Sequence, residues 1–131
     1  MTKTSDLVRG VMSAPVVQVA PHATVAQAVR TMIDHDIGAV VVAEDGSAAG
    51  VFTERDLTRR ILDEPDMLGR QVAEVMSSPV VTVAPDDEVV FIFHLMTEKG
   101  IRRLPVIEGG QLVGIVTERD LLRWVDAVTS E

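Results

Sequence analysis

Thr53-Glu54-Arg55-Asp56 and Thr117-Glu118-Arg119-Asp120 are the residues of this chain best suited to hold a ligand. Each follows a short apolar stretch (Gly50-Val51-Phe52 and Gly114-Ile115-Val116) and is followed directly by a leucine (Leu57 and Leu121), so each reads as a strand-to-helix turn. The first amides of a helix have no partner within it and favour an anion. A threonine hydroxyl and an arginine beside them add donors for phosphate oxygens. The aspartate one turn on is an acceptor suited to the two vicinal hydroxyls of a ribose, and it would repel an unaccompanied phosphate. The set therefore fits a ribose phosphate better than a bare anion. Ordinary helix capping accounts for the same letters: in Thr-x-x-Asp the hydroxyl accepts the amide three residues on, and an acid in the first turn suits the helix dipole. What favours a ligand is that all four letters persist in two places while flanking positions differ.

The elements that must position these residues are written twice. Val11-Met12-Ser13-Ala14-Pro15-Val16-Val17 returns as Val75-Met76-Ser77-Ser78-Pro79-Val80-Val81, and Gly50 to Leu57 returns as Gly114 to Leu121. Both pairs lie on one offset of about 64 residues, without a gap. Each copy reads as strand, helix, strand, strand, helix. Val16-Val17-Gln18-Val19, bracketed by Pro15 and Pro21, predicts a strand of about four or five residues. Val25, Ala28, Val29, Met32 and Ile33 fall at helical spacing behind Thr24, a suitable N-cap. Gly38 to Ala43 predicts a strand covered on both faces. Asp45-Gly46, and Gly109-Gly110 in the second copy, predict tight hairpin turns. A third strand ends at Phe52, and the helix starting near Glu54 carries Leu57, Ile61 and Leu62 on one face. The copies span 8–64 and 74–128, with 65–73, containing Pro65 and Gly69, as the linker. A unit of about 60 residues buries only about 60% of its unfolded surface. The two copies are therefore expected to pack together about an approximate two-fold axis, with any ligand in the cleft between them.

Composition narrows the function. The 131 residues are 47% hydrophobic with a formal net charge of −8, which suits a soluble globular chain. That charge argues against a nucleic-acid surface, which needs clustered Lys and Arg. A small phosphorylated ligand, needing only two or three local positive groups, stays open. With no cysteine there is no disulfide, thiolate zinc site or Cys nucleophile. The N-terminus leads into no long apolar run, and the longest apolar stretches are strand-sized, so neither a signal peptide nor a membrane span is expected. A cytoplasmic location follows as the expectation. His22, His35 and His94 lack metal-ligand spacing, and His94 reads as a packed or interface residue. Met12, Met32, Met76 and Met96 recur at equivalent positions and read as core, and Trp124 as packing or a dimer contact. No glycine-rich phosphate loop is present, and no residue has a catalytic role to assign. Val89-Val90-Phe91-Ile92-Phe93-His94-Leu95-Met96 is apolar nearly all round, where the first copy has Gln27 and Thr31 on its outer face. Such a helix is buried on every side, and a second subunit is the expected cover.

Taken together, Val-Met-Ser-x-Pro-Val-Val at each entry point, Gly-Ile-Arg-Arg-Leu-Pro-Val at Gly100 to Val106, and the two Thr-Glu-Arg-Asp turns resemble a tandem pair of cystathionine-β-synthase (CBS) domains, often called a Bateman module. The resemblance covers nearly the whole chain. It implies an α/β fold of two β-α-β-β-α repeats related by a pseudo-two-fold axis, their sheets packed together with helices outside. It implies an adenosine-containing ligand (AMP, ADP, ATP or S-adenosylmethionine) bound as a regulatory signal. By resemblance Asp56 and Asp120 hold ribose hydroxyls, Thr53 and Thr117 lie near ribose or phosphate, and Ile37-Gly38 and Ile101-Arg102 border the adenine. Family modules commonly pair through helices, which fits a homodimer.

The copies are not chemically equal. Arg102-Arg103 stand where the first copy has Gly38-Ala39, and Pro105 where it has Val41. Adjacent strand residues face opposite sides, so at most one of Arg102 and Arg103 points into a given cleft. An ordinary solvated pair at a strand edge is the other reading of these arginines. One nucleotide site per chain is expected. The expected function is a stand-alone regulatory sensor without catalysis. The alternative is a dimerising interaction module with vestigial clefts, favoured by the missing arginines of the first copy and by capping.

Overall fold

The computed structural model describes residues 3–78 and 80–130; Pro79 of the second Met-Ser-x-Pro motif lies outside the described residues. In chain order the elements are α1 (Val8–Val11), β1 (Gln18–Val19), α2 (Val25–His35), β2 (Ala39–Glu44), β3 (Ser47–Thr53), α3 (Glu54–Arg60), α4 (Val89–Lys99), β4 (Arg103–Glu108), β5 (Gln111–Thr117) and α5 (Glu118–Thr129). Turns of 3-10 helix lie at Thr4–Asp6, Pro65–Gly69 and Val72–Glu74. The fold class is α/β, as expected.

The chain divides into two compact units, Val17–Val80 and Met1–Val16 with Val81–Glu131. Each unit thus takes the lead-in segment that precedes the other repeat. In Val17–Val80 the sheet order is β1-β2-β3, with β1 parallel and β3 antiparallel to β2. Val40, Val42 and Phe52 of the sheet pack with Val25, Ala28 and Met32 of α2. Thr24 caps α2 as expected: its hydroxyl accepts the Gln27 amide at 3.1 Å while Gln27 Oε1 accepts the Thr24 amide at 2.8 Å. Asp45-Gly46 forms the hairpin with φ of 53° and 81°, and Gly109-Gly110 does the same at 58° and 80°. Two successive left-handed residues are what a hairpin of matching twist requires.

Three expectations are corrected. Leu62 is 91% exposed, because α3 ends at Arg60 and the chain turns before Leu62 reaches the buried face; Leu57 and Ile61 do pack on the core. Ile33 is 60% exposed, on the edge of the stripe that buries Ala28 and Met32. The first strand is shorter than expected: two residues in the first copy, and a single bridge, Val83 with Val106, in the second. Pro105 explains the second case. In the first copy the Val41 amide donates to Val17 O at 3.3 Å. Pro105 occupies the equivalent position and has no amide to give.

The stretch 65–73, expected as a linker, carries Met67 and Val72 at 0% exposure in the core of its unit. In the other unit, β4 and β5 pair antiparallel and pack Leu104, Val106 and Val116 against Val89, Ile92 and Met96 of α4. That helix is not buried all round within the chain: Val90 and Phe91 are 53% and 47% exposed, and His94 is exposed.

The lead-ins dock by the same device in both units. Ser13 pairs with Ile115 through two backbone hydrogen bonds of 2.9 and 3.0 Å, and Ser77 pairs with Val51 at 2.9 and 3.2 Å. The methionine before each serine lies over a strand glycine. A β-carbon on Gly114 would stand 2.6 Å from Met12 Sδ, and one on Gly50 would stand 2.5 Å from Met76 Sδ. A β-carbon at either glycine would force the methionine to shift.

Candidate functional site

Both Thr-Glu-Arg-Asp turns form reciprocal caps. Thr53 Oγ1 accepts the Asp56 amide at 3.1 Å, and Asp56 Oδ2 accepts the Thr53 amide and hydroxyl at 2.9 Å each. Asp120 Oδ2 accepts the Thr117 amide at 2.8 Å and its hydroxyl at 3.1 Å, while the Asp120 amide donates to Thr117 Oγ1 at 3.4 Å. The capping reading of these letters is therefore correct. It also limits what else they do, since each threonine hydroxyl gives its proton to the aspartate rather than to a ligand. Among the helix-tip amides, Glu54 donates to Gly38 O at 2.9 Å and Glu118 to Arg102 O at 3.1 Å. These bonds bring the strand starts Ile37-Gly38 and Ile101-Arg102 up to the turns.

The second carboxylate oxygen distinguishes Asp120. The residue is 5% exposed, the one polar or charged residue fully buried among those described. Its Oδ1 has only loose neighbours: Ser13 Oγ at 3.5 Å and Arg123 Nη1 at 3.8 Å. Asp120 lines a pocket of about 310 Å³ with Gly10, Val11, Met12, Ser13, Arg123, Trp124 and Ala127. That volume lies at the small end of ligand pockets. Trp124 packs on Phe93 with ring centroids 6.0 Å apart, and its indole nitrogen is buried without a hydrogen-bond partner among the described residues. Arg123 and Trp124 follow Asp120 by three and four residues, so they share its helix face. That spacing was the available signal for them. Ser13 stood in the repeated motif, but nothing local to it points to residue 120.

The remaining sequence-predicted residues do not join this pocket. Arg55 and Arg119 are exposed on the helix tips. Arg102 is exposed and stands 3.9 Å from Glu118, while half-buried Arg103 lies opposite Thr117 in the β4–β5 ladder. Ile37 and Gly38 line a separate groove of about 570 Å³ with Asp36, Glu54, Leu57 and Thr58, without Thr53 or Asp56. Among the described residues no cluster of three or more His, Cys, Asp or Glu could hold a metal ion, and no helix is long and apolar enough to cross a membrane.

Two matched repeats, each a hairpin followed by a Thr-x-x-Asp-capped helix, define a class of paired α/β domains. The family profile of the CBS domain matches residues 8–63 and 72–127, so the chain belongs to the CBS domain family and carries two copies in tandem. An uncharacterized protein of Methanopyrus kandleri is 39% identical over 107 residues, 79% of this chain; the chain spans 55% of that relative's length. The crystal structure of a CBS-domain containing protein from Agrobacterium tumefaciens superposes with a TM-score of 0.83 at 31% identity, covering 91% of this chain and 92% of that one. The CBS domain pair of protein MJ0100, solved in complex with 5′-methylthioadenosine and S-adenosyl-L-methionine, superposes with a TM-score of 0.81 at 25% identity, covering 91% and 98%.

Proposed function

We propose that the chain is a regulatory module that binds an adenosine-containing small molecule and catalyses nothing. One observation carries this: Asp120 is buried beside a pocket, with Oδ2 spent on its cap and Oδ1 held only loosely, by Ser13 at 3.5 Å and Arg123 at 3.8 Å, with capacity left to accept from ribose hydroxyls. A buried carboxylate is costly unless it is hydrogen-bonded, and sugar hydroxyls supply donors. The ligands of the MJ0100 domain pair, which carry adenosine without phosphate, support the reading. So does the local chemistry, because the threonine hydroxyls and several tip amides are already engaged while Arg123 alone brings a cation to the pocket. We therefore rank S-adenosylmethionine, a sulfonium, and the thioether 5′-methylthioadenosine ahead of AMP, ADP and ATP. Thr117 and Arg119 orient and flank the carboxylate, Ile101 to Arg103 frame the turn, and Thr53, Arg55, Asp56, Ile37 and Gly38 are their first-copy counterparts.

A homodimer is the accompanying assembly. Val90 and Phe91 of α4 and Leu122 of α5, 68% exposed, form apolar surface that a second copy would cover. The cysteine-free chain suits a reducing, cytoplasmic setting. Binding regulates only if the ligand prefers one of two arrangements of the protein.

Thermal shift against S-adenosylmethionine, 5′-methylthioadenosine, AMP, ADP, ATP and NAD tests the ligand, since anything that binds the native state raises its melting temperature. No response to any of them at millimolar concentration refutes ligand binding and leaves a dimerising interaction module, for which the apolar α4 surface speaks. Sedimentation equilibrium reports the dimer separately.

A further inference from the structure

The lining of the Asp120 pocket can be compared, residue by residue, with the same positions of the other copy. Ser5, Gly10, Val11, Met12 and Ser13 correspond to Gly69, Glu74, Val75, Met76 and Ser77, while Asp120, Arg123, Trp124 and Ala127 correspond to Asp56, Arg59, Arg60 and Asp63. Small Gly10 and Ala127 are replaced by acids, and the indole by a guanidinium.

The structure shows what that guanidinium does. Arg60 donates through Nε to Glu64 Oε2 at 2.7 Å and through Nη2 to Glu64 Oε1 at 3.0 Å, a bidentate pair. Its Nη1 reaches Val75 O at 3.4 Å, on the lead-in segment docked in that unit. Glu64 in turn accepts from Arg70 at 2.8 Å, and Arg70 holds Glu74, the counterpart of Gly10, at 3.2 Å. A chain of four charged side chains therefore ties α3 to its lead-in at the place where the other unit leaves about 310 Å³ open beside Asp120. The helices differ too: α5 runs 12 residues and α3 only 7.

We propose that Arg60 is a built-in plug that closes the pocket of the Val17–Val80 unit, so that the chain takes one nucleoside ligand, held at Asp120 against Trp124. The inference rests on the adenosine-binding reading above and adds which unit binds and what shuts the other. The guanidinium, pinned by Glu64, stands at the position that Trp124 holds beside the open pocket of the other unit.

Isothermal titration with S-adenosylmethionine, and separately with AMP, tests it. Wild type is expected to bind one molecule per chain, with a change in the fluorescence of Trp124, the sole tryptophan. Arg60→Ala is expected to raise the stoichiometry from one to two, and Arg60→Met, which keeps the apolar stem and removes the fork, serves if the alanine variant does not fold. Two molecules on wild type, one molecule with no tryptophan response, or folded Arg60 variants that stay at one each overturn the plug while leaving adenosine binding standing. No binding of either probe to wild type removes the functional reading and the plug with it.

Discussion

Replacing Asp120 by alanine separates its two jobs, because the two carboxylate oxygens have different partners. Oδ2 accepts the Thr117 amide at 2.8 Å and hydroxyl at 3.1 Å, and losing both leaves two polar groups of a half-buried threonine without their acceptor. An unmade buried hydrogen bond costs about 1–3 kcal/mol, which for a chain of this size lowers the melting temperature by roughly 3–10 °C. Oδ1 is the proposed acceptor for ribose. Hydrogen bonds to a charged group contribute about 1.5–3 kcal/mol, so affinity should fall roughly 10- to 150-fold. Thr24→Ala is the control. It breaks a capping box of the same kind on α2, costs about 1 kcal/mol, and touches no residue of the Asp120 pocket. Urea unfolding gives the stability of each variant, and titration with S-adenosylmethionine gives its affinity. The expected pattern is two destabilised proteins, of which only Asp120→Ala has lost affinity. Undiminished affinity in Asp120→Ala would make the aspartate a cap and nothing more, and an equal loss in Thr24→Ala would show that affinity merely follows stability.

Four further substitutions test the frame of the two units. Gly50→Ala should destabilise by about 1–3 kcal/mol, since its β-carbon would meet the Ser77 carbonyl oxygen at 2.7 Å as well as Met76. Gly114→Ala should cost less, because the Ser13 oxygen is 3.1 Å away and the flexible Met12 side chain can yield; equal urea midpoints would contradict that ordering. Met67→Ala should cost about 2–5 kcal/mol if the Pro65–Gly69 turn is core, and a neutral result in urea unfolding would return it to the status of a connector. The Glu64 carboxyl is held below its ordinary value of 4.5 chiefly by the hydrogen bond from Arg60, then by the charges of Arg60 and Arg70 and a bond from Arg70, against the opposing effect of partial burial. A carboxyl depressed on folding stabilises above its unfolded value and loses that contribution as pH falls through the folded one. Glu64→Gln should therefore be less stable than wild type at neutral pH, with the gap closing well below pH 4.5; a pH-independent gap would exclude the ion pairs as its source.

Local chemistry was readable because each signal needed only neighbours. The Thr24 cap, the Asp45-Gly46 and Gly109-Gly110 hairpins and both Thr-x-x-Asp turns follow from residues within one turn of each other. The loss of the second copy's first strand was equally available, since Pro105 in place of Val41 removes the amide on which that pairing depends. Leu62 was misplaced because helical periodicity does not say where a helix stops. The pocket was harder. It needs Ser13 and Trp124 side by side, and no periodicity relates residues so far apart. The repeat also hid the asymmetry that matters. Arg102 and Arg103 were the conspicuous differences and lie outside the pocket, whereas Arg60 and Trp124 look like ordinary helix positions until their contacts are known.

The exchange of lead-in segments makes the boundary between the sequence copies a poor place to cut. A fragment ending at residue 64 would lack Met67, Val72 and Val75, all at most 4% exposed in the core they complete, and would leave Gly50 facing solvent. The remainder would be deprived of Val8, wholly enclosed in its own core, and of the serine beside Asp120. Neither half of the repeat encodes a finished hydrophobic interior. Deletion mapping of this protein should therefore follow residues 17 and 80 rather than the repeat, and a truncation that respects the repeat will report misfolding as though it were lost function.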